Sequence, residues 1–285
     1  MCAQRHETEM ATQEIKDIIE KIITDAFKRV QNAYAHHREG YSSIPLEDNN
    51  PSTLLVYPQR SHGSSAPNSY YTRVSSEQEM RFAFVEAFED YFENKEKKLC
   101  FSVETPTVER YGFSKGQLKT YQSSDKQGRS GNFDLVVHDE NLNRVCLIEF
   151  KCNYPGNEKA EEGKRYREIQ KDFVKLANPK ENKVINENTG ETEDSIRYFV
   201  HTVISYDDKQ KIENRLKEAY DVIDSVIGKD AVPVNYVLYS LCRDDENDNQ
   251  YIAADLSPSG EIGKNIDPNA ISLHWYDEQT KEIKP

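Results

Sequence analysis

Between residues 133 and 151 the chain reads FDLVVHDENLNRVCLIEFK. Two short apolar runs flank a polar stretch, and the pattern predicts a β-hairpin with its turn in DENLN. A hairpin that only fills a core has no use for Asp134 at the start of one strand, or for Glu149 and Lys151 at the end of the other. Side chains alternate along a strand, so Glu149 and Lys151 share a face and Phe150 points away. In an antiparallel pair the start of the first strand lies beside the end of the second. Asp134 and Glu149 are therefore expected to converge at the end far from the turn. Two carboxylates at one point repel unless a cation lies between them. Mg2+ takes oxygen ligands and commonly uses one or two carboxylates with waters and phosphate oxygens. Lys151, on the same face, suits the orientation of a water or a phosphoryl oxygen.

The rest of the chain sets this hairpin in an α/β order. Ile15, Ile18, Ile19, Ile22, Ile23, Phe27 and Val30 recur at helical spacing within residues 11–36 and predict an amphipathic helix. Residues 38–74 are rich in Ser, Pro, Asn and Gly and read as a long loop with one short strand at LLVY. A second helix follows over SEQEMRFAFVEAFEDYF, with Ser75 or Ser76 as its N-cap. At about 100° per residue, Phe84, Phe88 and Phe92 form one stripe that Glu77 and Arg81 extend, while Glu79 points away. Of the two glutamates, Glu77 is the one aimed at the sheet.

LCFSVETPTVE reads as a strand and residues 111–131 as a loop. After the hairpin come a charged helix with Ile169, Phe173 and Leu176 on one stripe, a strand in SIRYFVHTVISY, a helix over residues 207–227, and strands in NYVLYSLC and QYIAADLS. Residues 257–285 read as a tail or an edge strand, with Trp275 as a packing residue. This order predicts an α/β fold with a mixed central sheet flanked by helices.

Composition narrows the function. The 17 Tyr and 11 Phe suffice for a packed core. The apolar runs are too short to cross a bilayer, and MCAQRHETEM has no apolar signal segment, so the expectation is a soluble, cytoplasmic protein without membrane contact. Five cysteines without a C-x-x-C pair argue against a disulfide framework and a zinc ribbon. The seven histidines have no metal-ligand spacing, and neither a nucleophile turn nor a phosphate-binding glycine loop is present. A formal charge of −13 counts against a nucleic-acid binder, although net charge does not describe the lining of one cleft.

An acidic residue on a helix, a strand, Asp-x14-Glu-x-Lys across a hairpin and a charged helix together resemble the PD-(D/E)XK nuclease superfamily. FDLVV and IEFK carry the signature, with Phe133 in place of a proline before Asp134. The resemblance covers about residues 75–205. It implies a three-layer, restriction-endonuclease-like core over residues 75–256, preceded by the N-terminal helix and polar loop of residues 1–74. It also implies hydrolysis of phosphodiester bonds dependent on Mg2+ or Mn2+; DNA is favoured over RNA as the substrate, and RNA stays open. Asp134, Glu149 and the Phe150 backbone carbonyl would hold the metal, Lys151 would position the attacking water, and Glu77 would hold a second metal or its hydration shell. From the helix after the motif, Gln170 and Lys171 are favoured over Asp172 and Lys175 as contacts to nucleic acid. Lys115, Lys119 and Arg129, with aromatic neighbours in the glycine-bearing stretch, suit a phosphate backbone. A second copy of the chain or a protein partner is expected on the N-terminal helix. Two other readings use the same residues: a catalytically silent module on this fold that binds nucleic acid or protein, and a structural ion-pair cluster in an unrelated α/β protein.

Overall fold

Asp139 makes the hairpin turn. Its Oδ1 accepts the backbone N–H groups of Asn141 and Asn143 at 2.9 and 2.8 Å, and its Oδ2 accepts Asn143 Nδ2 at 2.8 Å. Leu142 takes the left-handed backbone conformation inside this carboxylate-tied loop. The turn joins β5 (Arg129–His138) to β6 (Arg144–Asn153) with Val137 opposite Cys146, Val136 opposite Leu147 and Leu135 opposite Ile148. All six side chains are fully buried.

The computed structural model describes residues 2–36, 58–60, 71–73, 77–93, 95, 99–115, 117–122, 124–153, 169–181, 194–203, 225–240, 250–256, 271–277 and 282–284. Two compact units divide between Lys97 and Lys98. The first holds α1 (Cys2–His36), the paired strands β1 (Pro58–Arg60) and β2 (Tyr71–Arg73), and α2 (Glu77–Phe92). α1 packs along α2, and Arg29 of α1 binds both Glu86, at 3.3 Å, and Asp90 of α2. Ile19, Ile22, Ile23, Phe27 and Val30 are buried, and Ile15 and Ile18 are half-buried. The expected Phe84–Phe88–Phe92 stripe also forms, with ring centroids 6.3 and 5.0 Å apart along α2. The proposed caps Ser75 and Ser76 and the LLVY strand lie outside the described residues.

The second unit is built on one mixed sheet. Its further elements are β3 (Cys100–Ser114), β4 (Gln117–Tyr121), a helix α3 over residues 169–177, β7 (Ile196–Val203), β8 (Val234–Ser240), β9 (Gln250–Leu256), β10 (Ile271–Asp277) and β11 (Glu282–Lys284). The described strands run in the order β11-β10-β9-β8-β7-β6-β5-β3-β4. β6, β7 and β8 are mutually parallel, and every other neighbouring pair is antiparallel. A parallel step needs a crossover, and α3 lies in the segment between β6 and β7. The helix predicted over residues 207–227 falls outside the described residues except for 225–227. No helix among the described residues is long and apolar enough to cross a membrane.

Residues 111–114, 117–121 and 129–131 correct one expectation: they are strand and not loop. β3 runs on to Ser114 and turns into β4, pairing Tyr111 with Thr120 and Phe113 with Leu118. Tyr111 and Leu118 are buried on one face of this pair. Glycine, serine and lysine on the other positions hide the alternation from a reading by composition. Gly128, at φ +71°, closes the turn back to β5, and a Cβ there would lie 2.7 Å from the Tyr121 ring.

α3 covers the sheet face that carries Val136 and Leu147. Phe173 stacks on Phe199 at 4.2 Å and on Tyr236 at 5.9 Å, inside a buried cluster with Tyr111, Leu118, Val174 and Leu176. Stacked pairs of this kind contribute about 0.5–1.5 kcal/mol beyond their buried area. A buried polar cluster anchors the far end of α3. Arg197, opposite Leu147 in the β6–β7 register, donates to the Leu176 carbonyl and, at 2.8 Å, to that of Asn178. Glu181, in the short turn Pro179–Glu181, accepts the N–H groups of Val108 and Glu109 at 2.6 and 3.0 Å and the Tyr111 hydroxyl at 2.5 Å. These amides belong to the stretch where β3 shifts register against β5, so a carboxylate replaces the missing strand partner.

Candidate metal and phosphate site

Backbone pairing between β5 and β6 stops at Leu135–Ile148. The next opposed positions are Asp134 and Glu149. Where a strand carbonyl would continue the ladder, the Asp134 carboxylate accepts the Phe150 N–H at 2.7 Å. β6 meanwhile continues beside β7 as far as Asn153, pairing Glu149 with Phe199 and Lys151 with His201. The hairpin thus ends with two carboxylates at the fork between strands, as the spacing predicts.

Two side chains of α3 complete the cluster. Lys175 Nζ lies 2.7 Å from Glu149 Oε1 and 2.9 Å from Asp172 Oδ1, and donates to the Asn132 carbonyl at 2.9 Å. Lys151 Nζ stands 3.6 Å from Asp172 Oδ2. Glu149 and Lys175 are almost fully buried, whereas Asp134, Lys151 and Asp172 keep partial access to solvent. His201, beside Lys151 in register, is buried with its Nδ1 2.8 Å from the Tyr236 hydroxyl.

The electrostatics follow from this packing. Burial pushes the Glu149 carboxyl well above the ordinary carboxylate range; Lys175 pulls it back, and Asp172 and Asp134 push it further up. Burial opposes the charge on Lys175, yet Glu149 and Asp172 outweigh it and hold the ammonium above its ordinary range. Burial is the first cause for Glu149, whereas for Lys175 the neighbouring carboxylates overcome burial.

The other expected residues are distributed as follows. Glu77 opens α2 in the first unit, and Asp134, Glu149 and Lys151 belong to the second. Gln170 and Lys171 lie in α3 half-buried; among the described residues, the α3 side chains that reach the carboxylates are Asp172 and Lys175. Lys115 sits in the β3–β4 turn with positive φ. Lys119 and Arg129 are exposed but do not share a face: Lys119 pairs with Gly112 and Arg129 with Tyr111, adjacent positions whose side chains leave opposite sides. Arg129 emerges on the side of Tyr111 and α3. Lys119 emerges on the other.

Among the described residues, no three His, Cys, Asp or Glu side chains are grouped so as to hold a metal ion. The oxygen donors of the cluster are the carboxylates of Asp134 and Glu149, one oxygen of each bonded to the Phe150 N–H and to Lys175, together with the Phe150 carbonyl. These are hard oxygen donors, and two carboxylates fit Mg2+, which keeps several waters. Comparison with protein-family models, with curated proteins and with solved structures gives no match.

Proposed function

We propose that the chain is a metal-dependent nuclease of the PD-(D/E)XK type that hydrolyses phosphodiester bonds, with DNA favoured over RNA. The observation that carries the reading is the end of the β5–β6 ladder, where Asp134 and Glu149 stand opposed at the edge of their pairing and Lys151 follows on the Glu149 face. The order β3-β5-β6, antiparallel, followed by α3 and the parallel strand β7 supports a restriction-endonuclease-like core.

On this reading Asp134, Glu149 and the Phe150 carbonyl hold Mg2+ or Mn2+. When bound, the metal would supply a water of lowered pKa and offset negative charge developing at phosphorus. Lys151 would orient an attacking water, whose oxygen would bond to phosphorus as the P–O bond to the leaving nucleotide breaks and a proton passes to the departing oxygen. Asp172 fixes the Lys151 ammonium, and Arg129 meets the phosphate backbone from the α3 side of the sheet. The negative net charge confines attraction for nucleic acid to this face.

The test is cleavage of plasmid DNA and of single-stranded RNA with Mg2+, comparing the wild type with Lys151→Met. Loss of metal-dependent cleavage in a folded variant is expected. Full activity in Lys151→Met overturns the assignment. A second reading, a silent module on the same core, is favoured by one observation: the Lys175 ammonium already occupies a Glu149 oxygen. Metal binding by the wild type with no cleavage of any polynucleotide would select it.

A further inference from the structure

The turn end of the β5–β6 hairpin holds a second set of polar side chains, which the nuclease reading does not use. His138 ends β5, and Ser102 lies on the adjacent strand β3, where Cys100 is opposite His138 and Ser102 is opposite Val136. Ser102 Oγ stands 2.8 Å from His138 Nε2, and His138 Nδ1 stands 3.3 Å from the Leu142 carbonyl in the turn. A third group, the Thr105 hydroxyl, lies 2.6 Å from Ser102 Oγ. Residues three apart in a regular strand point to opposite faces. Here Glu104, at φ +48°, takes the chain out of the strand conformation and brings Thr105 back onto Ser102.

The direction of each hydrogen bond follows from the donors. A backbone carbonyl only accepts, so in the neutral imidazole Nδ1 carries the hydrogen and Nε2 is the acceptor. Nε2 therefore takes the Ser102 O–H, and Ser102 Oγ accepts the Thr105 O–H. A hydroxyl directs its proton at a base, a third group orients that base, and a donor faces the hydroxyl oxygen. These are the requirements of an activated serine nucleophile. Ser102, Thr105 and His138 are half-buried. Arg144, opposite His138 on β6, donates from Nη2 to the Pro106 carbonyl at 3.5 Å, and its buried Nη1 has no hydrogen-bond partner among the described residues. A guanidinium anchored on the residue after Thr105, with an N–H to spare, suits an oxygen that becomes negative during reaction.

We propose that Ser102 is a nucleophile with His138 as its general base, acting on carboxylic esters of small acyl groups. Ser102 Oγ bonds to the ester carbonyl carbon as its proton passes to His138 Nε2. The bond from that carbon to the leaving alcohol oxygen breaks, and His138 gives the proton to this oxygen. A water then attacks the acyl-serine by the same proton route, which releases the carboxylic acid and restores Ser102. Leu142, whose side chain is 72% exposed in the turn, offers the acyl group an apolar contact. This activity goes beyond the metal-dependent reading and uses none of its residues.

The experiment is incubation of the full chain with p-nitrophenyl acetate, following p-nitrophenolate release and locating the acetyl group by peptide mass spectrometry. The wild type is expected to release p-nitrophenolate and to carry the acetyl on Ser102. Ser102→Ala is expected to lose that label. His138→Gln still forms hydrogen bonds but cannot take the proton, and is expected to acylate about a hundredfold more slowly. Should His138→Gln fail to fold, as circular dichroism would reveal, wild-type protein with its histidines carbethoxylated takes its place, and the same slowing is expected. The wild-type map needs no variant: acetyl on lysines with Ser102 unmodified overturns the inference. So does labelling of Ser102 at the wild-type rate once His138 is replaced or blocked. Either failure leaves the nuclease reading standing.

Discussion

The Asp134 carboxylate and the Phe150 amide are joined by a 2.7 Å hydrogen bond at the point where β5 and β6 stop pairing. One carboxylate thereby ends the ladder and, in the proposed metal site, also serves as an oxygen ligand, so the two duties are separable by substitution. Asp134→Asn keeps an acceptor for the Phe150 N–H and removes the charge. Asp134→Ala removes both, and leaving an amide of this kind without an acceptor costs about 1–3 kcal/mol. Denaturant unfolding is expected to rank the alanine variant below the asparagine variant by that amount. Equal stability of alanine variant and wild type would contradict the bridging role.

Glu181 makes a different prediction, in pH. Burial raises its carboxyl above the ordinary value of 4.5, against the hydrogen bonds from Tyr111, Val108 and Glu109. A raised folded-state pKa means that the folded chain binds this proton more tightly than the unfolded chain. The stabilisation is fully present below the ordinary value and is lost as pH rises through the raised one. The stability of the wild type minus that of Glu181→Gln is therefore expected to fall as pH is raised from 4.5 towards neutrality. A difference that is flat with pH would refute this. Glu181→Ala, which strands the Val108 and Glu109 amides, should cost about 1–3 kcal/mol for each.

Strand pairing separates two cations that are equivalent in the sequence. Arg129 leaves the sheet on the side of α3 and the carboxylates, and Lys119 on the other. In a filter-binding or fluorescence titration with DNA, Arg129→Glu is expected to weaken affinity several-fold and to reduce the salt slope by about 1. Lys119→Glu should change both less. The reverse order would place the nucleic acid on the opposite face.

The hairpin, the phenylalanine stripe of α2 and the convergence of Asp134 with Glu149 were legible in the sequence because each follows from a local period. The strand pair at 110–121 was not, since Gly112, Ser114 and Lys119 dilute its alternation and only Tyr111 and Leu118 are buried. Partial legibility applies to α3. The stripe Ile169–Phe173–Leu176 sets its phase, and at about 100° per residue Gln170 and Asp172 leave opposite flanks of that stripe. Which flank faces the carboxylates is decided by the tertiary crossover. The family resemblance favours Gln170 and Lys171, and the side chains that join the Glu149–Lys151 cluster are Asp172 and Lys175. The Glu181–Tyr111–Asn178 cluster gave no signal at all, because Tyr111 lies about 70 residues from the other two in the sequence and no local period links them.

The most direct test of the site is calorimetric titration of Mg2+ in the presence of dimethyl phosphate, on the wild type and on Asp134→Asn. The expected result is saturable binding by the wild type, weakened at least tenfold in a variant of unchanged stability. Equal affinity in the two proteins, or no binding by the wild type, would contradict a metal centre at Asp134 and Glu149.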